Sequence, residues 1–227
     1  MVLPISCSHE LWALDYPLKL FGAELGRRVT LIRLKNKKLV VHSTAPFSAE
    51  DVDQIRALGE PAAMADATNF HDTFARQGRA AFPDVRYFAP PGFPLTRDLG
   101  AEAFEAGTDI WGDELQWHTI DGLWGLNETA CLHPASRTLI LADMFVNFPR
   151  ATGWTRFFFR HLVFVRRWPE IDWLFRSAIR DREAFGQSVQ TILSWDFDRL
   201  IPAHGDIIDT GAKPVMEERL RRYRLVP

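Results

Sequence analysis

Two stretches decide the fold: Thr138-Leu-Ile-Leu-Ala-Asp143 and Leu200-Ile-Pro-Ala-His204-Gly-Asp206. Each is a short apolar run that reads as a buried strand. Each also carries a side chain able to hold a metal where the strand would open into a loop. A carboxylate and an imidazole on adjacent strand ends can share a cation, and a hard or borderline metal favours that mixture.

Upstream, Val29-Thr-Leu-Ile-Arg-Leu34, the polar Lys35-Asn-Lys-Lys38 and Leu39-Val-Val-His-Ser43 read as strand, turn and strand, closed by Pro46. Ser48-Ala-Glu-Asp51 has the spacing of a capping box, with Asp51 in place of the usual Glu. It predicts a helix to about Leu58, stopped by Gly59 and Pro61. A short, Ala-rich strand is expected over 62–68, then Asn69-Phe-His71-Asp72, then helix over 73–81 and a strand over 85–88. Residues 93–110 read as irregular or partly helical. Further strands are expected over 114–120, 128–133, 138–142 and 198–202, with helices over 181–195 and 213–223. Strands and helices mixed through both halves give a layered α/β fold. The reading is one domain over 1–227, with an arginine- and aromatic-rich helical insertion at about 147–196.

The composition is that of an ordinary soluble chain: 227 residues, 47% hydrophobic, 25% charged, formal charge −2. That charge, without a long basic groove signature, argues against nucleic acid as partner. The two cysteines, Cys7 and Cys131, form neither a CxxC pair nor a disulfide framework. No signal-peptide pattern is read at the N-terminus. The most apolar later segment, Trp154 to Trp168, is too short and too charged to span a bilayer. A cytoplasmic protein with no membrane span is expected.

The order of motifs resembles the metallo-β-lactamase superfamily, and within it a degenerate branch of unassigned function. The resemblance covers roughly residues 12–212 and implies a four-layer αββα sandwich with metal ligands on loops at one edge. Leu39-Val-Val-His42-Ser-Thr matches the first motif, with His42 in the place of its Asp. Thr68-Asn69-Phe-His71-Asp72-Thr73-Phe74 falls on the HxHxDH signature: His71 keeps the second His, while Asn69, Thr73 and Phe74 replace other ligands. A one-residue gap would bring Asp72 into play instead. Leu123 falls on the His of the third motif, with Glu128 a few residues on. Asp143 matches the bridging Asp and His204 the final His.

The resemblance implies a metal-dependent hydrolase of an ester, thioester or phosphoester, with His71, Asp143, His204 and His42 as candidate metal ligands. Asp72 and Glu128 are the candidate catalytic carboxylates. Zinc is the first choice of metal, with iron or manganese as alternatives. The bland readings stand beside these. His71 and His42 also fit hydrogen-bonded loop residues, and Asp72 a helix cap. Glu128 also fits a partner of an arginine such as Arg137, and Asp143 an acceptor for backbone amides at the sheet edge. His9, His118, His133 and His161 lack ligand spacing and read as structural. The depleted ligand set argues against a conventional β-lactamase. It leaves open a metal-free pseudoenzyme that keeps the sandwich as a binding or scaffold module.

Between Arg150 and Arg182 stand eight arginines, no lysines and three acids. Some of these arginines are candidates for anchoring an anionic small-molecule substrate by bidentate hydrogen bonds. Solvated heads and local ion pairs flanking aromatic packing are the preferred reading of these arginines. Trp154, Phe157, Phe158, Phe159, Phe164 and Trp168 are too many rings for one helical face. A homodimer through 150–182 is one way to cover the surplus.

Overall fold

The computed structural model describes residues 3, 4 and 10–226; Cys7 and His9 lie outside them. The strands are β1 (Leu3–Pro4), β2 (Leu11–Tyr16), β3 (Lys19–Leu20), β4 (Ala23–Glu24), β5 (Arg27–Arg33), β6 (Lys38–His42), β7 (Glu60–Ala65), β8 (Arg86–Phe88), β9 (Gln116–Thr119), β10 (Thr129–His133), β11 (Thr138–Leu141) and β12 (Arg199–Pro202). The α-helices are α1 (Ala49–Leu58), α2 (Ala75–Ala81), α3 (Thr96–Leu99), α4 (Thr108–Trp111), α5 (Gly153–Phe157), α6 (Trp173–Ala178), α7 (Arg182–Ser194) and α8 (Ala212–Arg222). The chain divides into two compact units, one of 1–16 with 28–115 and one of 17–27 with 116–227.

The first unit is built on a six-stranded sheet in the order β1-β2-β5-β6-β7-β8. β5 and β6 form the expected antiparallel hairpin, and β7 and β8 then add in parallel. The parallel step requires a crossover, which α1 supplies. Its capping box is formed: Ser48 Oγ accepts from Asp51 N at 3.2 Å, and the Asp51 carboxylate accepts from Ser48 N at 2.9 Å. Ile55 of α1 and Ala75 and Phe82 around α2 pack on Leu14, Leu31, Val41, Met64 and Tyr87. Ile32, Val40, Ala63 and Phe88, of opposite parity on the same strands, are buried too. This is why these strands read as continuous apolar runs rather than alternating ones.

The second unit carries a four-stranded sheet in the order β12-β11-β10-β9, and β3 with β4 makes a separate small hairpin. β10 and β11 are antiparallel, turning through Pro134–Ser136 and a left-handed Arg137 at φ 50°. β12 lies parallel to β11, with Leu139 opposite Leu200 and Leu141 opposite Pro202. Phe185, Val189 and Ile192 of α7 and Met216 and Leu220 of α8 bury this sheet's Ala130, Leu132, Leu139 and Leu200 in one core. Asp181 caps α7, accepting from Glu183 N and Ala184 N at 3.0 Å each. Gly122 carries the close approach: its φ is +76°, and a Cβ there would meet the Asp181 carbonyl at 2.2 Å.

Candidate functional site

In the second unit the two deciding stretches meet by strand register. Parallel pairing of β11 with β12 is prolonged by Ala203 N donating to Leu141 O at 3.0 Å. Leu141 stands opposite Pro202 at the strand ends, so Asp143 and His204 each follow two residues beyond, in step with one another. His204 Nε2 lies 3.2 Å from Asp143 Oδ1. On its other side, His204 Nδ1 is 2.6 Å from the Gly26 carbonyl oxygen. A carbonyl can only accept, so Nδ1 carries a proton and Nε2 is the nitrogen turned toward the carboxylate. Gly205, at φ +89°, lets the chain leave beside Asn147, whose carbonyl would stand 2.1 Å from a Cβ there. Asn147 Nδ2 donates to the Asp206 carbonyl at 2.9 Å, and Arg150 grips the Asp206 carboxylate at 2.7 and 3.1 Å.

Glu128 sets the position of Asp143. It is fully buried just before β10, and its carboxylate accepts from Ala142 N at 2.8 Å, Asp143 N at 2.9 Å and Met144 N at 2.9 Å. Burial, reinforced by the Asp143 charge, pushes its carboxyl up from the usual carboxylate range, against three N–H donors that favour the ionised form. Arg137 stands in the turn at the far end of β10 and pairs with Asp196 at 2.8 Å instead. Leu123 packs at the edge of this unit's core and bridges to Ile179. Asp172 is an acid that the sequence pattern did not single out. It caps α6 through Phe175 N at 2.9 Å, and burial, with a smaller push from Asp143, raises its carboxyl to about 6.

In the first unit, His71 lies in a 3-10 turn over Asn69–Phe74, after the end of β7. It is buried, and its Nδ1 is 3.2 Å from Ser43 Oγ. Ser43 Oγ donates to Asp66 at 3.3 Å. With the hydroxyl proton so committed, the serine oxygen accepts from Nδ1–H, and Nε2 becomes the lone-pair nitrogen of His71. Asp66 is a buried hub that also accepts from Thr44 N at 3.0 Å, Thr44 Oγ1 at 2.8 Å and the Tyr87 hydroxyl. Sequence reading missed Asp66, Ser43 and Tyr87. The available signal was an acid ending one buried strand beside Ser-Thr ending its parallel neighbour.

His42 ends β6, level with Thr30 and Ala65, and is buried. Desolvation holds its imidazole neutral, down to about 4. Asp72 is partly buried in the His71 turn; its backbone carbonyl accepts from Ala75 N, and no side-chain cap is made to α2. The structure thus joins Asp143 to His204 and fixes Glu128 behind Asp143, while in the first unit Asp72 shares the turn of His71 and His42 ends β6.

No protein-family model matches the chain. No curated protein matches it either. Solved structures do. A metallo-β-lactamase from Pontibacter korlensis is 13% identical and has a TM-score of 0.63, covering 97% of this chain and 98% of its own. One from Erythrobacter litoralis, with β-mercaptoethanol in its active site, is 14% identical at TM-score 0.63, covering 98% and 100%. FIM-1 from Pseudomonas aeruginosa, in its mono-zinc form, is 12% identical at TM-score 0.61, covering 100% and 96%. Matches of this extent cover nearly the whole chain, and they establish architecture rather than activity. The chain has the metallo-β-lactamase fold, an α/β sandwich.

Proposed function

We propose that the protein is a metal-dependent hydrolase in which His71, Asp143 and His204 hold one divalent cation. The observation that carries this reading is the His204–Asp143 pair. With the Nδ1 proton spent on Gly26, the ring's remaining nitrogen faces a carboxylate oxygen at 3.2 Å. Two electron-rich atoms so placed call for a cation, and the backbone hydrogen bond behind the ring is the usual support of a ligating histidine. The Ser43–Asp66 pair supports His71 in the same way. Two imidazoles and one carboxylate suit zinc, with a position left for water or substrate. The mono-zinc neighbour supports zinc as the first ion to test, ahead of iron or manganese.

A bound cation of this kind lowers the pKa of water from about 15.7 to about 7 and polarises a carbonyl or phosphoryl oxygen. The chain supplies the rest. Glu128 is a positioning residue, its oxygens spent on the loop that presents Asp143. Asp72, on the His71 turn, accepts the proton of the attacking water. His42 stays a neutral imidazole within the sheet. Arg150, held on Asp206 beside the closing motif, anchors an anionic group of the substrate, which is an ester, thioester or phosphoester. Cys131 is a buried free thiol, in keeping with the cytoplasm as the proposed location.

Leu123, partly buried at the edge of the core where the resemblance would put a histidine ligand, favours a second reading: a metal-free module in which a proton sits between His204 and Asp143. Metal content separates the two. Protein purified without chelator should carry about one equivalent of a divalent metal, as three-ligand sites do. His204→Ala and Asp143→Ala should lose the metal together with metal-dependent ester or phosphodiester turnover. No stoichiometric metal after incubation with zinc, iron or manganese would overturn the hydrolase.

A further inference from the structure

Among the described residues, ten large hydrophobic side chains are exposed, and seven belong to one region of the second unit: Phe21, Trp154, Phe157, Leu162, Phe164, Trp173 and Leu174. They are tied together. Trp154 Nε1 donates to the Phe21 carbonyl at 2.9 Å, and the Trp154 and Phe157 rings stack at 5.4 Å. Phe164 meets Trp173 edge-on at 6.4 Å, and Trp173 N donates to Val163 O at 3.2 Å. These rings are not a failed core. Phe158, Phe159, Val163 and Val165, interleaved with them, are buried with Ala23 and Val146 in a cluster of their own. Phe164 is held at φ +59° with about half its surface exposed. A bulky residue enters that region only under strain, so the turn holds this ring outward against a local cost.

The charges point to what covers the rings. From Ala151 to Pro169 there is no Asp or Glu, while Arg156, Arg160, Arg166 and Arg167 are all exposed. None of these four has a carboxylate within ion-pairing distance among the described residues, whereas Arg150, just before the stretch, pairs with Asp206, and Glu170, just after it, pairs with Arg219 of α8. A two-fold contact with a second copy would bring together two such patches, each with four arginines and no acid from 151 to 169, like charge against like. A surface that takes Trp, Phe and Leu rings at one level and guanidinium groups at the next is the headgroup region of an anionic bilayer. We propose that the 153–174 region docks the protein on an anionic membrane surface, the rings entering the interface and the four arginines resting on the lipid phosphates and carboxylates. No helix is long and apolar enough to cross a membrane among the described residues, so this contact is peripheral.

The test is sedimentation of the full chain with vesicles of phosphatidylcholine alone and with about 30% phosphatidylserine added. Binding should need the anionic lipid and weaken with salt. Each arginine near such a surface is worth about fivefold, so Arg166→Gln/Arg167→Gln should weaken binding roughly 25-fold. Trp154→Ser/Phe157→Ser should abolish it while melting stays cooperative. No binding to the anionic vesicles at low salt would overturn the proposal. So would binding that both double variants retain. A concentration-dependent dimer in sedimentation velocity, lost in Trp154→Ser/Phe157→Ser and unaccompanied by vesicle binding, would assign the face to a second copy instead. Capture by an acidic protein surface without vesicle binding would also overturn it.

Discussion

Glu128 offers the sharpest perturbation of the loop that presents Asp143. Its two oxygens accept three backbone N–H groups, one on Oε1 and two on Oε2, in a fully buried place. Glu128→Gln keeps the shape and, turned with its oxygen toward Asp143 and Met144, can still serve two donors. The third, Ala142 N–H, then faces an NH2 group and is left without an acceptor. One buried orphaned donor costs about 1–3 kcal/mol. Glu128→Ala orphans all three, a cost of about 3–9 kcal/mol. Equilibrium unfolding in urea, with chelator present so that no metal contributes, should show the midpoint falling in that order at unchanged slope. Both variants should also bind zinc less tightly than the parent, by the 10- to 100-fold typical when a ligand's support is removed. If Glu128→Gln and Glu128→Ala both unfold within about 0.5 kcal/mol of the parent, the clamp does not hold the loop and the reasoning fails.

Two further outcomes follow from the same physics. His42 is buried neutral, with its pKa lowered to about 4 from an unfolded value near 6.5. Its contribution to stability is fully present above pH 6.5 and is lost as pH falls toward 4, by about 3 kcal/mol in all. Unfolding midpoints of metal-free protein between pH 7 and 4 should show that slope, and His42→Gln should flatten it. Gly122→Ala combines a left-handed backbone with a Cβ 2.2 Å from the Asp181 carbonyl. It should cost about 2–5 kcal/mol, read as a lowered melting temperature; a neutral result would mean that the turn before β10 and the start of α7 are not packed as described.

What could be read from sequence was whatever local pattern encodes. The β5–β6 hairpin and the Ser48–Asp51 capping box are short-range devices, and both are found where their residues stand. Asp143 and His204 were legible because each ends an apolar run, and parallel register does the rest. Leu11–Tyr16 went unassigned because its burial does not alternate cleanly and its neighbours in the sheet are set by tertiary pairing. Asp66 was invisible for a related reason. An acid after Ala-Met-Ala announces nothing by itself, and its meaning comes from Thr44 and Tyr87, brought to it by β6 and β8. The Gly26 carbonyl that fixes the His204 ring has no side chain to read at all.

The register between β11 and β12 has a further consequence, for how this chain can change over time. Asp143 and His204 are aligned by backbone pairing, not by the long excursion that connects them. The exposed parts of that excursion, between the core helices α6 and α7 and around α5, can be lengthened or reshaped without moving either residue, because loop closure grows costly only slowly with length. The arrangement separates a fixed chemical pair from an adaptable flank, so the surface a protein of this build presents to its surroundings can diversify while the carboxylate and imidazole stay in step.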